Sequence, residues 1–280
     1  MNIRELLLQA TALLKKAGCD SPRLDAELLL MHAWGVDKTA LIIRMLDKLP
    51  DDIEGTFQKL IARRQRREPV AYIIGEKEFW SRPFRINANV LIPRPETEHL
   101  IEELLKQYPD REKPYRFCDI GTGSGCIACT IATEFPNAEV VATDIFEAAL
   151  EVASGNAKTL HVADRVTFKC GDMFTALDAQ TEPFDTILSN PPYVSHDEMN
   201  VLEPELGFEP RSALTDEQDG KSHLSTLLNE CSPWLKPGGF IMVETGPCGL
   251  PTTPEYLKQL ESYNDLAGLK RGGIYQYEPH

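Results

Sequence analysis

The chain has 280 residues, of which 42% are hydrophobic and 26% charged, enough apolar content to bury a substantial core and too much for a disordered polymer. Its formal charge of −14 argues against a protein that holds nucleic acid by Lys and Arg on phosphates, and no window approaches a membrane span. The seven cysteines, at 19, 118, 126, 129, 170, 231 and 248, follow no disulfide-scaffold spacing, which fits a reducing cytoplasm. Cys126 and Cys129 spell C-x-x-C but lack the second pair of a metal site and the start of a thioredoxin-like fold, so they read as small residues packing an apolar helix.

The charge is unevenly spread. Residues 1–75 hold twelve Lys or Arg against ten Asp or Glu, a net of +2, which leaves −16 for the rest. The opening "MNIRELLLQATALLKKAG" lacks the unbroken apolar stretch and cleavage site of a signal peptide. Apolar residues then recur at helical spacing: Leu6, Leu7, Ala10, Leu13 and Leu14, next Leu24, Leu28 and Leu29, next Phe57, Leu60 and Ile61. Ser21 before Pro22 reads as a helix N-cap. The pattern predicts a small all-helical domain over 1–75, with Arg63, Arg64, Arg66 and Arg67 on a solvated face that can steer a partner.

Residues 76–93, which include "EKEFWSRPFRINANVLI", read as a β-hairpin linker, with aromatic and β-branched residues around turn formers. In "PRPETEHLIEELL" Thr97 stands where it can cap a helix whose first turn is acidic. Within residues 94–280, strands are predicted at "YRFCDI", "AEVVATD", "VTFKC", "FDTILSN" and "FIMVET", separated by helical stretches such as "CIACTIATEF" and "AALEVASGNAKTL". Apolar strands alternating with helices predict an α/β, Rossmann-like, doubly wound and mostly parallel sheet.

Ligands of such sheets lie beyond the carboxyl ends of the strands. The first strand runs into "DIGTGSG", comprising Asp119, Ile120, Gly121, Thr122, Gly123, Ser124 and Gly125, a turn that brings bare backbone and a helix N-terminus to a ligand. It is neither a P-loop nor the dinucleotide fingerprint, whose third glycine falls one residue later. The second strand ends at Asp144, where a carboxylate can accept from both hydroxyls of a ribose. The third is followed by Asp172, placed for an adenine amino group, and by Met173 or Phe174 to cover the ring. Glycine, ribose and adenine chemistry on successive strand ends indicates a nucleoside cofactor.

The fourth strand ends in Asn190-Pro191-Pro192-Tyr193. A planar amide or base amine is a poor nucleophile, and to attack a methyl sulfonium it must be aimed and its lone pair partly freed. The Asn190 side-chain oxygen and the Pro191 carbonyl can accept its two hydrogens, the prolines fix the carbonyl direction, and the Tyr193 ring can stack on the planar group. The six histidines show neither ligand spacing nor a nucleophile context.

Together, "DIGTGSG", the acid at 144, Gly171-Asp172 and "NPPY" resemble class I S-adenosylmethionine-dependent methyltransferases acting on amino groups. The preceding "EFWSRPFRINANVLIPRPETE" and the closing "DLAGLKRGGIYQY" resemble the PrmC/HemK-type protein-(glutamine-N5) methyltransferases, which modify the glutamine of the Gly-Gly-Gln motif in class I peptide-chain release factors and so act in translation termination. The resemblance implies a cytoplasmic enzyme without a metal, binding neither membrane nor nucleic acid stably. It implies S-adenosylmethionine, leaving as S-adenosylhomocysteine, held by residues 119 and 121–125, Asp144, Asp172, Met173, Phe174 and Asn190. The target amide would meet Asn190 to Tyr193. Two other readings are a DNA or RNA exocyclic-amine methyltransferase, which the acidic catalytic portion disfavours, and a noncatalytic module, which would show a broken glycine loop or tetrapeptide.

Overall fold

The computed structural model describes residues 1–264, 268 and 270–279; Asp265, Leu266, Ala267, Leu269 and His280, five residues that include parts of the closing motif, lie outside the described residues. The chain forms two compact units, one of residues 1–76 with 203–208 and one of residues 77–202 with 209–280.

The first unit is built from α1 (Ile3–Lys16), α2 (Pro22–Trp34), α3 (Lys38–Ile43), α4 (Asp51–Gln65) and α5 (Val70–Ile74). A reciprocal capping box starts α1: Asn2 Oδ1 accepts from the Glu5 amide at 2.9 Å, and the Glu5 carboxylate accepts from the Asn2 amide at 3.0 Å. Ile3, Leu7, Leu14, Ala26, Leu29, Leu30, Phe57 and Ile61 make its core. Leu13 and Leu24, although in phase with the apolar stripes, are exposed, because Leu14 and Ala26 turn the helices' buried faces slightly aside. Ser21 stands at the N-cap of α2 with no side-chain bond, and Pro22 fills the first helical position.

Arg63 and Arg64 in the last turn of α4 and Arg66 and Arg67 just after it do not form the solvated face expected of them. Arg64 is buried and donates to Asp25 at 2.8 Å and to Glu205 at 2.9 Å, while Arg67 grips both oxygens of Glu205 at 2.6 Å. Arg63 pairs with Glu68. Glu205 arrives from a remote stretch of chain, so nothing near α4 in sequence signals its partner. Of the four arginines only Arg66 is exposed, and it forms no ion pair among the described residues.

In the second unit β1 (Glu76–Phe79) and β2 (Arg82–Arg85) form a hairpin whose turn residues, Trp80 and Ser81, both have positive φ. Trp80 is held there by its amide on Glu98 at 2.8 Å and its ring nitrogen on Glu134 at 3.0 Å. Then come α6 (Glu98–Gln107), β3 (Arg116–Ile120), α7 (Cys126–Glu134), β4 (Glu139–Asp144), α8 (Glu147–Thr159), β5 (Val166–Cys170), β6 (Phe184–Ser189), α9 (Ser222–Glu230), β7 (Leu235–Glu244), β8 (Leu257–Glu261) and β9 (Gly272–Tyr277). They assemble the sheet β5-β4-β3-β6-β7-β9-β8, parallel through β7, with β8 and β9 antiparallel at one edge. The doubly wound, mostly parallel α/β architecture is therefore present, and the antiparallel edge extends it.

Apolar residues on both sheet faces form the core, Phe117, Val140 and Leu188 on one side, Cys118, Ile187 and Ile241 on the other. Helix α7 is buried almost all round, and its Cys126 and Cys129 are free thiols held above their ordinary pKa by burial, Cys126 at about 12. That environment makes them packing residues rather than thiolate nucleophiles. Among the described residues no helix is long and apolar enough to cross a membrane, and no group of three or more His, Cys, Asp or Glu is placed to hold a metal ion.

Candidate active site

Parallel pairing sets Ile120 level with Thr143 and Ser189, and Asp144 level with Cys170, so four strands end along one rim. The strand order reverses between β3, which leads to β4 and β5, and β6, which leads to β7; at such a switch point the connecting loops part and leave a crevice. A cavity of about 430 Å³ opens there, lined by residues 120–124, 143–146, 171–173 and 189–192, with Thr97 and residues 210–213 among the remaining walls.

Gly121, Thr122, Gly123, Ser124, Asp144, Asp172, Met173, Asn190, Pro191 and Pro192 all reach this cavity. Gly121 and Gly123 have φ of +74° and +54°, and a Cβ at either would meet nothing within 4 Å. The loop contributes open space more than donors, because the amides of Gly121 and Thr122 bond Thr143 O at 2.9 and 2.8 Å and that of Gly123 bonds Asp144 Oδ2 at 2.9 Å. Asp144 Oδ1 accepts from the Phe146 amide at 3.0 Å. Both oxygens are thus aimed, and each keeps a lone pair for a hydroxyl. Burial raises the Asp144 pKa from the usual carboxylate value, against the opposing pull of these amides.

Four expected site residues stand elsewhere. Gly125 packs on α8, where a Cβ would lie 2.9 Å from that of Ala153. Asp119 is wholly buried beneath the loop, accepting from the Thr122 hydroxyl at 2.6 Å and the Ala128 amide at 3.2 Å, and burial pushes its pKa up to about 7. The Phe174 ring faces the core and stacks on Trp234, centroids 6.4 Å apart. Tyr193 lays its ring against Gly246, where a Cβ would come within 2.6 Å of it, and donates its hydroxyl to Glu244 at 3.0 Å.

Other residues enter the site without having been singled out. Ile145 and Phe146 line the cavity although they are large, apolar and about half exposed (54% and 47%), which makes them a surface for a planar ring. Their signal was legible: two bulky apolar residues directly after the acid of "ATDIF". Asn156, buried in α8, donates to Ser124 O at 2.8 Å and to Arg85 O at 2.9 Å, fixing the glycine loop from behind. His223 lines one wall.

Thr97 does not cap α6. It stands at the N-cap without a side-chain cap bond and instead accepts from Asn190 Nδ2 at 3.0 Å. Glu244, the buried acid that ends β7, accepts from the Tyr193 hydroxyl, and burial raises its pKa to about 7.

A family profile described as a methyltransferase domain matches residues 111–275, so the doubly wound fold is that of a methyltransferase. A second, described as the PrmC N-terminal domain, matches residues 5–75. Release factor glutamine methyltransferases of Rhodopirellula baltica and Nitratidesulfovibrio vulgaris are each 40% identical to this chain, covering 96% of it and 94% and 93% of their own lengths. That of Neisseria gonorrhoeae is 39% identical over 92% of this chain and 95% of its own. The chain belongs to the release factor glutamine methyltransferases, a family of protein-glutamine methyltransferases.

Proposed function

We propose that the chain transfers a methyl group from S-adenosylmethionine to the side-chain amide nitrogen of the glutamine in the Gly-Gly-Gln motif of class I peptide-chain release factors, in the cytoplasm, so modulating translation termination. The observation that carries this reading is the Asn190 amide, whose nitrogen is committed to Thr97 while its residue lines the cavity beside the glycine loop and Asp144. The oxygen is left to accept from a substrate N–H.

The residues present fit the cofactor. Asp144 offers aimed lone pairs to a vicinal diol, Gly121 and Gly123 leave room along the loop, Asp172 can accept from an exocyclic amine, and Ile145, Phe146 and Met173 flank a planar base. When bound, S-adenosylmethionine supplies an electrophilic methyl group on a positively charged sulfur. Asn190 Oδ1 and the Pro191 carbonyl accept hydrogen bonds from the two N–H groups of the target amide, which turns its lone pair outward and favours the positive charge that grows on nitrogen; once the nitrogen–methyl bond forms, one of these protons is lost to solvent. Pro191 and Pro192 restrict the backbone that carries this carbonyl, so little orientation is lost before reaction.

Selectivity must come from elsewhere, because every exposed glutamine offers the same amide. We assign it to the helical unit, residues 1–75, docking the body of the release factor. The test of the whole reading is methylation with labelled cofactor of a release factor, plasmid DNA and transfer RNA side by side, followed by mass spectrometry of the Gly-Gly-Gln peptide. Label on that glutamine is expected; label confined to nucleic acid would replace this reading with the base-amine one.

A further inference from the structure

A proline fixes its own φ and holds the residue before it to an extended ψ, so Asn190-Pro191-Pro192 has little freedom within itself. Where the Pro191 carbonyl points then depends on how the two ends of the stretch are held. The entering end is the last rung of β6: Ser189 pairs with Ile120 and Val243, and its hydroxyl donates to Ile120 O at 2.7 Å. The leaving end is Tyr193.

Asn190, Pro191 and Pro192 line the cavity, and Tyr193 does not. Its contacts come from the end of β7 and from the loop before α9. The ring lies on Gly246, where a Cβ would stand 2.6 Å from its Cδ2 and 3.0 Å from its Cε2, and its hydroxyl donates to Glu244 at 3.0 Å. A Cβ at Gly220 would overlap the Tyr193 carbonyl oxygen, and the next amide, that of Val194, donates to Leu214 O at 2.9 Å. Because β6 and β7 are parallel neighbours with Ser189 level with Val243, the chain leaves both strands side by side, and a residue without a side chain at 246 lets the ring settle there. Ring, hydroxyl and carbonyl are each held, which suits an anchor and not a platform that meets substrate.

We propose that Tyr193 and Gly246 are positioning residues for methyl transfer: Gly246 seats the Tyr193 ring, and the seated tyrosine keeps the Pro191 carbonyl aimed at the target amide. This rests on the reading that Asn190 and Pro191 accept from that amide.

The experiment measures single-turnover methylation of an intact release factor by the full chain at saturating substrate, with cofactor affinity and thermal midpoint recorded for each variant. Gly246 is not among the glycines with positive φ, so an alanine there meets the tyrosine ring and not the left-handed region of the backbone. Gly246→Ala is expected to slow the chemical step ~10- to 100-fold, the scale of a misplaced reacting group, at unchanged cofactor affinity. In a Tyr193→Ala background, itself slow, the same change is expected to have no further effect, because the ring it collides with is gone. Tyr193→Phe keeps the ring and loses the bond to Glu244; it is expected to slow the step ~5-fold, as the loss of one hydrogen bond does, whereas a stacking platform would work at the parent rate. A Gly246→Ala as fast as the parent, or one that slows the Tyr193→Ala enzyme as much as it slows the parent, overturns the seat. So does a Tyr193→Phe at the parent rate, which decides alone where an alanine variant does not fold. Asn190→Ala separates the two claims: slow beside a fast Gly246→Ala, it leaves the function standing without the seat, and if it is fast both are overturned.

Discussion

Replacing Glu244 by Gln tests the electrostatics on which the site is built. Glu244 is 1% exposed, and the dominant influence on it is burial, which raises its pKa from 4.5 to about 7; the nearby Thr97 hydroxyl, the hydrogen bond from Tyr193 and the charge of Arg271 pull the other way, and Glu96 adds to the rise. Because the folded state holds this proton more tightly than the unfolded chain, the stabilisation from the group is fully present below about pH 4.5 and is lost as pH rises through about 7. A rise from 4.5 to about 7 corresponds to about 3 kcal/mol. Gln has nearly the same shape, keeps an oxygen for the Tyr193 hydroxyl, and does not titrate.

The difference in unfolding free energy between Glu244→Gln and the parent should therefore move in favour of the variant by about 3 kcal/mol between pH 4.5 and 8, or roughly 6–12 °C in thermal midpoint for a domain of this size. Asp119, also raised to about 7, is common to both proteins and cancels. Denaturant titrations at half-unit pH steps give the difference directly. A stability gap that stays constant over that range would show that Glu244 is not held as a perturbed acid.

Asp144→Ala removes the proposed ribose acceptor and should weaken S-adenosylmethionine and S-adenosylhomocysteine equally, by about 2–4 kcal/mol for hydrogen bonds to a charged group; calorimetric affinities equal to the parent's would remove Asp144 from the cofactor site. Gly125→Ala places a Cβ 2.9 Å from that of Ala153 at a φ of +78°, and the strain plus overpacking should cost about 2–4 kcal/mol in chemical denaturation; a wild-type midpoint would mean that the α7–α8 contact yields freely. In the helical unit Ile42, Ile43 and Leu46 are more than half exposed, and Ile43→Asp should lower methylation of intact release factor ~10-fold or more, as the loss of an apolar contact does, while a short Gly-Gly-Gln peptide reacts unchanged. Equal effects on both substrates would take this surface out of recognition.

The parallel strands and the ligand loops at their ends were legible because both depend on short-range chemistry. Runs such as "FDTILS" can only be buried strands in an α/β chain, the positive φ at 121 and 123 selects glycine, and a proline pair halts a strand at a defined place. The acid at 144, which lines the cavity, followed from its place at the end of the second strand, a helix beyond the glycine loop. Residues whose roles depend on distant partners were not legible. Arg64 reads as a solvated charge until Glu205 arrives from another part of the chain, and Thr97 reads as a helix cap until Asn190 reaches it from the end of β6. Phe174 and Tyr193 carry the right chemistry for a ligand, but one faces the core and the other Gly246. Local sequence determines backbone conformation and the types of group at a strand end, since these are set by sterics and periodicity within a few residues. Which hydroxyl meets which carboxylate depends on strand order and loop packing, and only the tertiary structure decides that.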